Sequence, residues 1–185
     1  RLPQSVRVVN LSLGTDDPIE DHEYSLVAST LDFLAREHDL LVVTTAGNVR
    51  DRALVTGYPV SVSDPGWRVD PPGEALLALT VGSIAHHADH HTLSAVRELS
   101  PFSRVGPGAD GGRKPEVVAH GGNYARPCNA VSRYAVQGIF GDGRTLAWDA
   151  GTSFAAPLVA GAAAELFGSY PGAEANLVKA LLCPF

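Results

Sequence analysis

Leu40 to Ala46 is an apolar, β-branched run with hydrophobic side chains on both of its faces, and this constrains the fold more than any other stretch. A strand apolar on both faces has to be covered on both, which is the habit of parallel sheets. Val6 to Leu13 is a second run of this kind. Between the two, Ser25 to His38 repeats apolar side chains at helical spacing through Leu26, Val27, Leu31, Phe33, Leu34 and Ala35. Strand, helix and strand in that order predict a β-α-β unit, and with it parallel strands and an α/β class. Leu76 to Val81 and Pro115 to Ala119 read as further strands. Pro59 to Gly73 reads as loop, from Pro65-Gly66 and Pro71-Pro72-Gly73. Arg133 to Ile139 and Thr145 to Ala150 flank Gly141-Asp142-Gly143 as the arms of a β-hairpin. Two helices are expected to close the chain, one from Ser153 to Phe167 and one from Ala173 to Leu182.

The chemistry concentrates where that hairpin hands over to the first of these helices. Gly151-Thr152-Ser153-Phe154-Ala155-Ala156-Pro157 is followed by small residues as far as Leu166. Gly151 allows a tight turn into Ser153, Pro157 suits a first helical turn, and the alanines favour helix. Ser153 Oγ would then sit among unpaired N–H groups at the positive end of a helix, a field that favours an oxyanion. An isolated Thr-Ser pair in this place would be read as a helix cap.

It is not isolated. Gly151 to Pro157 resembles the serine-nucleophile signature of the subtilisin-like serine proteases, the subtilase family, and three other segments resemble that family in the same order. Val8-Val9-Asn10-Leu11-Ser12-Leu13-Gly14 looks like the strand lining its substrate cleft, and Leu40 to Asn48 looks like the strand ending in its oxyanion asparagine. Ser103 to Pro107 with Lys114 to Ala119 is similar to the stretch that precedes its nucleophile hairpin. The resemblance implies a mostly parallel sheet flanked by helices in three layers, α/β/α, without its N-terminal strands. It implies a serine endopeptidase in which Ser153 is the nucleophile and the Ser153 N–H with the Asn48 amide holds the oxyanion. Gly151 and Thr152 would support them, Thr152 either as a weaker oxyanion donor or as a helix cap. Ser12, Leu13 and Gly14 would pair with substrate backbone, and Ala46 and Gly47 would form the opposing wall of the pocket for the residue before the cleaved bond. Phe154 stands where many relatives carry Met.

The family's Asp-Thr/Ser-Gly and His-Gly-Thr motifs, which carry the other two triad members upstream of the first strand, are absent here. A Ser hydroxyl needs a base within hydrogen-bond reach. The chain is therefore expected to be the C-terminal part of one peptidase domain spanning 1–185, inactive alone, with polypeptide as substrate and its own N-terminal part as partner. An open sheet edge is expected, with self-association as the alternative way to cover it. His120-Gly121-Gly122 is a poor substitute for the missing base. The reading from a different class is a peptide-binding or scaffolding module on the same fold. An α/β-hydrolase would need a Gly-x-Ser-x-Gly elbow, which Ser153 lacks.

A formal charge of −6, without blocks of one sign, gives no footprint for nucleic acid or an anionic membrane, and no apolar run approaches the length of a membrane span. No essential cofactor is expected; structural calcium is implied by the resemblance but maps to no ligand set. His86-His87-Ala88-Asp89-His90-His91 stands outside the resemblance. On a helix, His87 and His91 would share a face with Asp89 nearby as a metal site; a solvated or pH-sensitive loop is the plainer reading. Cys128 and Cys183 are either paired or free, and the compartment stays open.

Overall fold

The computed structural model describes residues 6–126, 133–139, 141 and 143–183. Four strands, β1 (Val8–Leu11), β2 (Leu41–Thr45), β3 (Leu79–Ile84) and β4 (Val117–His120), form one sheet in sequence order, every neighbouring pair parallel. Helix α1 (Leu26–His38) makes the β1-to-β2 connection, and the short α2 (Arg52–Thr56) follows β2. Strands β5 (Val136–Ile139) and β6 (Leu146–Asp149) form an antiparallel hairpin that leads into α3 (Thr152–Ser169); α4 (Ala175–Leu182) ends the described chain.

The two faces of β2 explain why its run is apolar throughout. Leu41 and Val43 pack with Leu79 and Val81 against the alanines of α3 and against Val178 of α4. Val42, between them, packs on the other side against Ala28 and Ala35 of α1. The sheet is thus the middle of three layers, and all of β2 is buried. The small side chains Ala155, Ala156, Ala160 and Ala163 let α3 lie close on the sheet, with Phe167 filling the far end.

Helix α1 starts where Ser25 Oγ accepts from Ala28 N (3.1 Å) and stops at Asp39, left-handed at φ 49°. It buries Ala28 and Ala35, while Leu26, Val27 and Phe33 face outward. The third strand begins later than its apolar run does. Leu76 and Leu77 donate their N–H groups to the two oxygens of Asp32 on α1 (2.8 Å each), so those residues tie helix to strand and do not enter the ladder. Between Pro59 and Gly73 the chain runs through short 3₁₀ turns at Val60–Ser63 and Pro65–Trp67. Among the described residues no strand pairs with the outer edge of β1, and Pro157, Leu158, Gly161 and Ala162 on the outward side of α3 are exposed. No described helix is long and apolar enough to cross a membrane.

Candidate active site

The C-terminal ends of β1 and β2 and the N-terminus of α3 meet at one edge of the sheet. Gly151 is extended (φ 172°) and donates its N–H to Gly121 O (2.8 Å), which fixes the hairpin exit against the end of β4. The two backbones approach so closely that a Cβ on Gly121 would lie 2.5 Å from Gly151 O. This close approach is what His120-Gly121-Gly122 supplies. The His120 ring itself packs edge-on to His86 at 4.6 Å, and no hydrogen bond joins it to Ser153 among the described residues.

Asn48 follows β2 and is held from behind: Val49 N donates to Phe102 O (2.7 Å) and Arg104 N donates to Gly47 O (3.1 Å). Its side-chain oxygen accepts from the Thr152 N–H (2.9 Å) and the Thr152 hydroxyl (3.2 Å). The Thr152 N–H can only donate, so the amide has only one consistent orientation, with oxygen toward Thr152 and Nδ2 on the opposite side. Thr152 is fully buried, and its hydroxyl is spent on Asn48, neither capping α3 nor facing the cleft.

Pro157 sits one turn further into α3 than a first-turn proline would. Lacking an N–H, it leaves the Ser153 carbonyl without its helical partner. Ser12 Oγ donates to that carbonyl instead (3.3 Å), which ties the end of β1 to the helix mouth. The Ser153 N–H makes no hydrogen bond among the described residues. A cleft of about 580 Å³ opens here, lined by Asn48, Val49, Arg50, Arg52, Val55, Tyr124, Asp149, Ala150, Gly151, Ser153 and Phe154.

On the other side of Gly47 lies a buried carboxylate. Gly47 is left-handed at φ +93°, and a Cβ there would fall 2.2 Å from Asp70 Oδ1; one on Gly14 would fall 2.8 Å from Asp70 Oδ2. Asp70 is 1% exposed and accepts from Asp16 N (3.1 Å). Arg104 Nε stands 3.6 Å from Asp70 Oδ2, while its terminal nitrogens are committed to the carbonyls of Gly66, Arg68 and Asp16. Burial pushes the Asp70 carboxyl up to about 7 despite the opposing pull of Arg104 and the Asp16 N–H.

Residues 1–183 match the Subtilase family, Peptidase S8. The chain belongs to the subtilase family. It is 34% identical over 206 residues to Uncharacterized protein y4bN of Sinorhizobium fredii, covering 95% of this chain and 47% of that protein. Among solved structures it is similar to one described as proteases from Pseudoalteromonas arctica PAMC 21717. There the TM-score is 0.64 at 23% identity, covering 95% of this chain and 43% of that one. It is also similar to the S41 Psychrophilic Protease, with TM-score 0.63 at 25% identity, covering 95% of this chain and 47% of that one. The subtilase segment therefore spans less than half the length of these relatives.

Within this subtilase segment the structure brings Ser12, Asn48, Gly151, Thr152 and Ser153 into one hydrogen-bonded or touching group, with Leu13, Gly14, Ala46 and Gly47 at the adjoining strand ends. Sequence reasoning missed Asp70, which lies in a loop between prolines and a tryptophan with nothing local to mark it. It also missed Arg104, although Ser103-Arg104-Val105 is among the segments that carry the resemblance. The histidine segment is not helical: Asp89 turns it by accepting from His91 N (2.8 Å) and the Tyr134 hydroxyl (2.5 Å), and it pairs with Arg133 (3.0 Å). His87 and His91 thus share no helix face. Among the described residues no group of three or more His, Cys, Asp or Glu side chains could hold a metal ion. Cys183 is a free thiol, and Cys128 lies outside the described residues.

Proposed function

We propose that this segment carries the nucleophile and oxyanion half of a serine endopeptidase centre. In this reading Ser153 Oγ bonds to a peptide carbonyl carbon while the carbonyl electron pair moves onto oxygen. The Ser153 N–H and Asn48 Nδ2 receive that oxyanion. The proton of Ser153 passes to a base and then to the departing amine, and water cleaves the acyl-enzyme. The observation that carries the reading is the fixed amide of Asn48: Thr152 occupies its oxygen twice, which leaves Nδ2 as the donor available to the cleft that also holds Ser153. A donor oriented before reaction costs no reorganisation when charge develops.

The base and its orienting carboxylate come, in this reading, from a preceding segment of the same protein. No side chain among the described residues hydrogen-bonds Ser153 Oγ, and in this reading the segment alone is inactive. That preceding segment also covers the open edge of β1 and the exposed side of α3; without it, copies of this segment self-associate. A polypeptide substrate lies along Ser12-Leu13-Gly14, where Leu13 is 64% exposed.

Fluorophosphonate labelling tests this. The full-length gene product should label, its Ser153→Ala variant should not, and this segment by itself should not. A folded full-length protein that fails to label would favour a peptide-binding module on the subtilase fold.

A further inference from the structure

We propose that this cleft accepts only glycine or alanine before the cleaved bond, because Asp70, Ile19 and Val69 plug the space that a larger side chain would need. This rests on the peptidase reading above, which puts that side chain between the strand ends Leu13-Gly14 and Ala46-Gly47.

Register pairs Leu11 with Thr44, so β1 and β2 run on in step to those two walls. What stands between them is protein. The Asp70 carboxylate lies so close to both that a Cβ on Gly47 would fall 2.2 Å from Oδ1 and one on Gly14 would fall 2.8 Å from Oδ2. Ala46 packs with Ile19 and Val69, and all three are buried. Gly47 is buried as well, so one wall of the gap has no surface left to offer a ligand. Water does not reach Asp70 itself, which is 1% exposed. The cleft beside Ser153 opens elsewhere, along Asn48 and the residues after it, and is lined by none of Leu13, Gly14, Ala46 and Gly47.

The plug is anchored at several points. Asp70 N donates to Ala46 O (3.2 Å), Asp70 O accepts from Gly73 N (2.7 Å), and Oδ2 accepts from Asp16 N (3.1 Å). Ile19 N donates to Val69 O (3.0 Å), which ties the loop after Gly14 to the segment that carries Asp70. A side chain pushed into a filled interior must displace atoms that are bonded in place, and that weakens binding. Leu13, by contrast, is exposed, so a substrate backbone can still pair along Ser12-Leu13-Gly14. Glycine makes that pairing with nothing to place in the gap, and alanine adds only a methyl group.

The test is the rate at which the full-length protein is labelled by two peptidyl phosphonates, identical except for a methyl or a benzyl side chain at that residue. A fluorophosphonate has no such side chain and reports Ser153 alone. We expect the methyl compound to label at least about tenfold faster than the benzyl compound. Asp70→Asn, equal in size, should keep that ratio, whereas Asp70→Ala, which empties part of the gap, should shrink it to about threefold or less. The wild-type ratio needs no variant and stands even if Asp70→Ala fails to fold. With fluorophosphonate labelling intact, four results would overturn the proposal and leave the peptidase reading in place: equal rates, faster labelling by the benzyl compound, no labelling by either, or a folded Asp70→Ala with an unchanged ratio. Absence of fluorophosphonate labelling would overturn the peptidase reading, and this proposal with it.

Discussion

Two polar side chains flank Gly47, and they are treated in opposite ways. Asn48 has its oxygen satisfied twice by Thr152, sits beside a cleft and carries no charge. Asp70, on the other side, is almost wholly buried, carries a carboxylate and keeps one oxygen without a partner. The difference teaches that the two sides of this strand end do different work. An amide whose oxygen is twice partnered has its remaining donor held in one direction. The half-partnered acid is instead shifted by its burial, its carboxyl raised to about 7.

The sharpest way to break the comparison is to remove the Asn48 donor. Asn48→Ala in the full-length protein should lower kcat by about 10²–10³, a magnitude taken from another member of this same family and not from this chain, with little change in KM. A rise in KM with kcat intact would make Asn48 a binding residue only. Next, Gly47→Ala forces a Cβ into the Asp70 carboxylate on a left-handed backbone. It should cost about 2–4 kcal/mol in urea unfolding; an unchanged midpoint would mean Asp70 can move aside freely.

Asp70 itself should leave a pH signature that Asn48 cannot. Its folded-state carboxyl is raised to about 7 by burial, so between about 4 and 7 the native state binds more protons than the unfolded chain. That contribution is complete below the unfolded value and is lost as pH rises through about 7, on the order of 1–4 kcal/mol. Urea midpoints at pH 5 and pH 8 should therefore differ more in the wild type than in Asp70→Asn, with the wild type losing stability at the higher pH. Identical pH slopes would show that Asp70 titrates normally.

Thr152→Val keeps shape and removes one of the two bonds to Asn48 Oδ1. It should cost about 1 kcal/mol, read as roughly a fivefold fall in kcat. Ser12→Ala, which frees the Ser153 carbonyl at the helix mouth, should have the smallest effect, about two- to threefold. A larger effect from Ser12 than from Thr152 would shift the positioning role from β2 to β1.

Much of this was legible along the chain. The apolar run at Leu40 to Ala46 is buried on both faces as its pattern demands, and the glycine-serine-alanine stretch becomes a helix entered at Thr152. Local patterns fail where size or distance decides. In α1 the large apolar residues Leu26, Val27 and Phe33 face outward, while Ala28 and Ala35, with Leu31 partly buried beside them, make the contact with the sheet. Leu76 and Leu77 look like strand but are captured by Asp32, a partner more than forty residues away. His87 and His91 look like a helical pair, yet Asp89 bonds to His91 N and turns the chain.

The sequence by itself determined the class of fold, the order of its elements and which serine stands at a helix mouth, since each follows from periodicity, small residues and breakers within a short window. Only the tertiary structure decided that Thr152 serves Asn48, that Pro157 sends Ser12 to the Ser153 carbonyl, and that the Asp70 carboxylate packs against both Gly14 and Gly47. Those contacts join residues far apart in the chain. Hydrogen-bond partners and burial, unlike periodicity, exist only once the separate strand ends have been brought to one edge of the sheet.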